Sequence, residues 1–240
     1  MATARVQSVQ GIWASGTTFS ASITTTSGNL LALSIHFLAG NSANAIVGVG
    51  DGTNTYSLVD EYAAAVAGLN NHLRTYYAQN ITGGALTLTV TLSSSSVSYA
   101  WINVDEVSGA DTTAPLDQHV IQNQDSPGTG ADAVTSGAVT TTANGEYVYG
   151  ATLMASANPT ITAGTGFTQT YTTSPSFNAD GTAERLIQTS AGSIAATFTI
   201  SADARAFTAI ATFKAAAAGA GMPTLVGPRF ALAGRRGLAG

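Results

Sequence analysis

The stretch TTTSGNLLALSIHF (Thr24–Phe37) is echoed more than a hundred residues later by TTTANGEYVYGATL (Thr140–Leu153). Each copy has three threonines, a Gly-Asn or Asn-Gly turn, and then an apolar run. Threonine favours strands, whereas glycine and asparagine favour turns. The pair therefore reads as one strand-turn-strand unit used twice.

Working outward, the echo extends to whole series of strands. LTLTVTL (Leu86–Leu92) puts Leu86, Leu88, Val90 and Leu92 on one face and threonines on the other, the pattern of a half-buried strand. IAATFTI (Ile194–Ile200) repeats it with Ile194, Ala196, Phe198 and Ile200. SYAWINV (Ser98–Val104) matches AFTAIAT (Ala206–Thr212), with Tyr99 over Phe207, and YYAQNITGG (Tyr76–Gly84) has a weaker echo in RLIQTSAG (Arg185–Gly192). The first copy spans about residues 17–109 and the second about 134–214. Two copies are too few for a solenoid, but duplicated antiparallel sets can cover each other's apolar faces. The expected fold is all-β: an antiparallel jelly-roll-like β-sandwich of two duplicated strand sets (1–214) with an extended C-terminal tail (215–240).

Between the copies, Asp111–Gly137 is rich in Pro, Gly and Asp and reads as a crossover loop, with an edge strand at Gln118–Gln122. VDEYAAAVAGL (Val59–Leu69) is the best helix candidate, with Asp60 as N-cap and Gly68 as stop, against the alternative of an irregular loop.

Charged residues make up 9% of the 240-residue chain, against a usual share of about a quarter. With 45% apolar residues this excludes charge-driven disorder. No apolar run approaches the roughly 20 residues that span a bilayer, so no membrane insertion is expected. Cysteine is absent, which removes disulfides and thiolate metal sites. The N-terminal MATARVQSVQGIW lacks the apolar core of a secretory signal.

The order of GNLLAL (Gly28–Leu33), DGTNTYSL (Asp51–Leu58), YYAQNITGGALTLTVTL (Tyr76–Leu92), VDEVSGADTTAPLD (Val104–Asp117) and TTTANGEYVYGA (Thr140–Ala151) resembles the β-sandwich modules of tailed-phage virion proteins and bacterial surface proteins. The resemblance covers roughly Val6–Phe213. It implies a jelly-roll or lectin-like sandwich used for decoration, adhesion or glycan contact, and it carries no catalytic residues over.

Enzyme signatures are missing: there is no G-x-S-x-G elbow, Walker loop or H-E-x-x-H. VGVGDG (Val47–Gly52) imitates a dinucleotide loop but leads into a strand pattern, so it reads as a hairpin turn. His36, His72 and His119 lack ligand spacing, and no metal or other cofactor is expected. The doublets Asp60-Glu61 and Asp105-Glu106 point to opposite faces of a strand, so neither forms a hydrolytic pair, and both read as solvated surface charge. Asp51, Thr53 and Asn54 are arranged as a turn or, less simply, as oxygens for calcium. Trp101 reads as core. Trp13, Tyr76 and Tyr77 are the candidate glycan contacts.

Met1–Phe213 holds four basic and thirteen acidic residues, whereas Lys214–Gly240 holds four basic and none acidic. The tail joins a linker (Ala215–Gly221) to apolar Leu225, Val226, Phe230 and Leu232 and to Arg229, Arg235 and Arg236. Leu225, Val226, Arg229, Phe230, Arg235 and Arg236 are the candidate partner-docking residues. The expectation is a non-enzymatic structural protein of a tailed-phage virion, assembled in the host cytoplasm. Its expected partners are capsid or tail proteins, copies of itself and host surface glycan. Three tail arginines without interleaved aromatics are a thin nucleic-acid signal. The competing readings are a secreted or surface carbohydrate-binding module and a glycan depolymerase.

Overall fold

A computed structural model describes residues 2–13, 15–39, 46–66, 69–93, 97–124, 132–155, 160–171, 180–201 and 205–217. These residues form eighteen β-strands and no helix. The first copy comprises β1 (Ala4–Trp13), β2 (Thr18–Thr25), β3 (Leu30–Ala39), β4 (Ile46–Gly50), β5 (Ser57–Val66), β6 (Leu69–Ala78), β7 (Gly84–Leu92) and β8 (Val97–Ser108). The second comprises β9 (Leu116–Gln124), β10 (Asp132–Thr135), β11 (Val139–Thr140), β12 (Glu146–Ala155), β13 (Ile161–Ala163), β14 (Thr168–Gln169), β15 (Asp180–Gln188), β16 (Ser193–Ile194), β17 (Thr197–Ile200) and β18 (Arg205–Phe213).

The duplication is complete at the level of topology. One five-stranded sheet runs β1-β8-β3-β6-β5, and its counterpart runs β9-β18-β12-β15-β14. The smaller sheets are β2-β7-β4 and β10-β17-β13, the second continued by the pair β11-β16. All pairings are antiparallel. The glycines of the two echoed turns, Gly28 and Gly145, sit at φ +84° and +77°, a conformation other residues rarely adopt.

Each copy closes its own sandwich. In the first, Phe19, Ile23, Leu33, Ile35, Leu88, Val90 and Ile102 fill the space between the large and small sheets. In the second, Val134, Val148, Met154, Phe198, Ile200 and Ile210 do so. Covering one face of a five-stranded sheet leaves the other bare, and the two bare faces meet. Leu30, Leu38, Leu73, Trp101, Tyr147, Tyr149, Leu153, Phe207 and Phe213 form this third core. The result is four layers rather than the expected single sandwich of two strand sets: the copies do meet face to face, but each first closes a core of its own. Strands β3 and β12 are therefore buried on both sides, which explains their nearly unbroken apolar runs.

β9 lies against β5 and β15 against β8, so the two large sheets stack in reverse strand order, as an approximate twofold relation requires. The segments before β1 and after β18 are tied across the halves: Thr3 Oγ1 donates to Gly145 O at 2.7 Å and Ala216 N to Gly109 O at 2.8 Å.

Three further expectations change. Val59–Leu69 is not helical where it is described: Ser57–Val66 is a strand paired with β6, with a bulge between Leu58 and Asp60. Its alanines carry helix propensity, but Tyr62 stacks on Phe207 with ring centroids 4.8 Å apart, and tertiary pairing overrides propensity. Asp111–Gly137 holds the expected edge strand, but it is longer, Leu116–Gln124, and it is the first strand of the second copy, the counterpart of β1, so that copy begins before residue 134. Finally, Asp105 and Glu106 are wholly buried rather than solvated.

Candidate functional site

The buried carboxylates show how the turns are held. Glu106 accepts from Thr26 N (2.7 Å), Asn29 Nδ2 (2.7 Å) and Gln7 Nε2 (2.6 Å), fixing the echoed turn of the first copy. Glu146 accepts from Ala143 N at 2.8 Å in the equivalent turn. Burial pushes the Glu146 carboxyl up, while hydrogen bonds from Thr142 hold the neighbouring Asp117 down. Glu184 accepts from Gly164 N (2.8 Å) and Thr197 N (2.9 Å), and burial pushes it up to about 7. A carboxylate that accepts backbone N–H groups satisfies donors that would otherwise be orphaned.

The central core carries a polar strip. Tyr147 donates to Asp105 Oδ2 at 2.5 Å, and Tyr149 OH lies 3.0 Å from Ser34 Oγ. His36 Nε2 lies 2.8 Å from the same hydroxyl, and burial pushes this histidine down to about 3, so its ring is neutral at ordinary pH. Tyr171 crosses between the halves, its hydroxyl sharing one proton between Val9 O (2.6 Å) and Val104 O (2.8 Å). Burial is the main cause raising the Asp105 carboxyl. It is opposed by the Ser8 and Tyr147 hydroxyls and by the charges of Arg185 and Arg5.

Two clefts stand out at the surface, the first reaching Tyr147 of this strip. One, of about 370 Å³, is lined by Thr3, Arg5, Tyr147, Thr168, Arg185 and Ile187. The other, of about 490 Å³, is lined by Asn54, Ser57, Tyr77, Gln79, Asn80 and Thr113 among others. Both fall within the usual range for small-ligand sites. The second is rich in amides and hydroxyls around one tyrosine face. Its rim is stiffened by Asn54, whose Oδ1 accepts from Thr82 N at 2.8 Å.

The candidate glycan contacts do not share a platform. Tyr76 and Tyr77 are adjacent on β6 and point to opposite faces: Tyr76 enters the first sandwich, and Tyr77 reaches the central core and the second cleft. Trp13 packs at the rim of the first sandwich, its ring centroid 5.5 Å from that of Phe19. Trp101 is core. Asp51 accepts from Thr53 N (2.8 Å), Asn54 N (2.7 Å), Asn54 Nδ2 (2.7 Å) and Tyr56 OH (2.9 Å), so donors close on it as a turn. The histidines are dispersed. His36 lies in the central strip, His72 stacks on Phe37 with centroids 4.2 Å apart, and His119 Nδ1 meets Asp60 at 3.0 Å. Among the described residues no three His, Cys, Asp or Glu gather as a metal site. Leu225, Val226, Arg229, Phe230, Arg235 and Arg236 lie outside the described residues.

Sequence reasoning missed Arg5, Tyr147, Tyr171 and Arg185. The available signal was scarcity: in a body with four basic residues, each one invites the question of what it faces. No family model, curated protein or solved structure matches the chain.

Proposed function

We propose that this chain is a structural, non-catalytic subunit of a tailed-phage virion. It decorates the capsid or tail, is anchored by its basic C-terminal tail, and assembles in the host cytoplasm. The observation that carries this reading is the fusion of two sandwiches through a third core, with the segments before β1 and after β18 bonded across the halves. Such a slab resists shear between its halves and suits a load-bearing surface element. The strand orders also support the jelly-roll-like reading, because the chain passes repeatedly between the large and small sheets of each copy. Burying Glu106, Glu146 and Glu184 on turn amides favours rigidity over chemistry.

The tail supplies the docking group in this reading. Leu225, Val226 and Phe230 add apolar area, and Arg229, Arg235 and Arg236 set partner choice against acidic surfaces such as the body of a neighbouring copy. The test compares the full chain with a version ending at Ala218 for co-sedimentation with particles from a phage-producing host. Full-length protein in the particle fraction and truncated protein in the supernatant support the reading. Equal partition of the two versions overturns tail anchoring, and absence of both from particles overturns the virion assignment.

A second reading, a secreted or surface carbohydrate-binding module, is favoured by the 490 Å³ cleft with Tyr77, Asn54 and Gln79 on its wall. Amide and hydroxyl groups beside an aromatic face suit a neutral sugar, and the same cleft would serve host-glycan contact by a virion protein.

A further inference from the structure

The two clefts are equivalent places at opposite ends of the interface between the copies. Arg5 pairs with Val107, which pairs with Leu30; Leu116 pairs with Phe213, which pairs with Tyr147. Arg5 and Leu116 are thus equivalent stations, as are Leu30 and Tyr147. Two residues along, Ala32 pairs with Tyr77 and Tyr149 with Arg185, which makes Tyr77 and Arg185 equivalent. Ser57 pairs with Tyr77 and Thr168 with Arg185, extending the correspondence to both rims.

What differs is the chemistry at those stations. At one end Leu116, Tyr77, Leu30 and Phe213 belong to the apolar core, with Tyr77 and Phe213 rings 5.7 Å apart. At the other end the stations of Leu116 and Tyr77 are taken by two arginines. Five cations are described in the whole structure, Arg5, Arg74, Arg185, Arg205 and Lys214, and two of them line this one cleft. Arg74 is paired with Glu61 at 3.1 Å, but among the described residues neither Arg5 nor Arg185 makes an ion pair. Arg5 donates to Ser8 Oγ at 3.0 Å, and Arg185 Nη1 is buried with no hydrogen-bond partner. Asp105 is the nearby opposing charge. It lies behind Tyr147, which takes one of its oxygens, and it balances at most one of the two guanidiniums. Arg185 is only partly buried and just one of its nitrogens lacks a partner, so an oxyanion in the cleft can reach the guanidinium and supply the missing opposite charge.

We propose that the cleft between Arg5 and Arg185 binds a small polar ligand through an anionic oxyacid group. The carboxylate of an acidic sugar is the favoured source. The guanidiniums hold the anion, exposed Thr168 offers its hydroxyl to a ring oxygen, and Ile187 contributes an apolar wall. The volume of about 370 Å³ suits one or two sugar rings. This site is independent of the particle assignment. Duplication has put a neutral cleft at one end of the interface between the copies and a cationic one at the other.

The experiment is calorimetric titration of the full chain with sodium glucuronate, glucose and inorganic phosphate at low salt, repeated with R5Q and R185Q. Binding of glucuronate but not glucose, weakened about tenfold or more by either substitution, is the expected result. Phosphate binding with the same arginine dependence, and none by glucuronate, keeps the anion site and reassigns its source to a phosphate group. Failure of both anions to bind, or binding that survives both substitutions, overturns the proposal. Arg5 is exposed and makes one side-chain bond, so R5Q remains informative if R185Q does not fold.

Discussion

At the scale of single residues, the buried titratable groups set opposing slopes of stability against pH. Burial lowers His36 to about 3 and His72 to about 4, from an ordinary value of 6.5. The unfolded chain therefore binds protons that the folded one refuses, and stability falls as pH drops below about 6.5. Glu184 works in the other direction. Its folded value of about 7 exceeds the ordinary 4.5, so its contribution is intact at low pH and is lost as pH rises through 7. The loss is at most about 3 kcal/mol. Buried Asp105 and Glu146 are raised as well and add to the same slope. Melting temperature should thus peak near about pH 6 and decline on both sides. E184Q mimics the protonated carboxyl, so its stability relative to wild type should improve between about pH 5 and pH 8. A pH-independent difference in melting temperature would sink the assignment. Gly181 is a second sensitive position, because a Cβ there would sit 2.4 Å from His36 Nδ1 and 3.2 Å from Thr152 O. G181A should cost about 1–3 kcal/mol in denaturant titration, since the packed ring cannot move aside freely.

At the scale of elements, the outer strands tell most about what is legible. β7 and β17 each have one face on a core and one in solvent, so their alternation is clean and their register unambiguous. Val90 and Phe198 sit in different sandwiches, fully buried. V90D and F198D should therefore each cost several kcal/mol, by placing an unpaired charge in an apolar core. Wild-type thermal stability in either variant would refute its placement. Strands inside the slab are harder to read. In β3 and β12 both faces are buried, so period two disappears, and only the repeated turn with its positive-φ glycine marks them. β5 reads as helix because its alanines say more about propensity than about the partner strand. The sequence match between the closing strands is two residues out of register. Leu153 pairs with Phe207 as His36 does with Trp101, so Trp101, not Tyr99, is the counterpart of Phe207. The cationic cleft is invisible in the sequence for a further reason. Arg5 and Arg185 are brought together by packing between copies, and no local pattern encodes that.

At the scale of the whole molecule, the question is whether the halves are separable domains or one folding unit. Each has its own sandwich core, which argues for autonomy. Against it stands the central layer, where Leu30, Leu38, Leu73 and Trp101 of one half meet Tyr147, Leu153, Phe207 and Phe213 of the other. Exposing these side chains forfeits about 25 cal/mol for each Å² of apolar area returned to water. The bare sheet would also present a contiguous apolar patch far larger than soluble monomers tolerate. Buried Asp105 would lose Tyr147, and Val9 O and Val104 O would lose Tyr171. A fragment of residues 1–113, which retains β1–β8 and the whole first core, should therefore not behave as a soluble monomer. The approximate twofold makes a specific outcome available: two copies of the half can pair through the same face, one standing in for the missing β9–β18 half. Size-exclusion chromatography with light scattering should find dimers or larger aggregates. Adding residues 114–217 in trans should convert them to a one-to-one complex. A cooperatively unfolding, monomeric half would show that the central layer joins two finished domains rather than completing one.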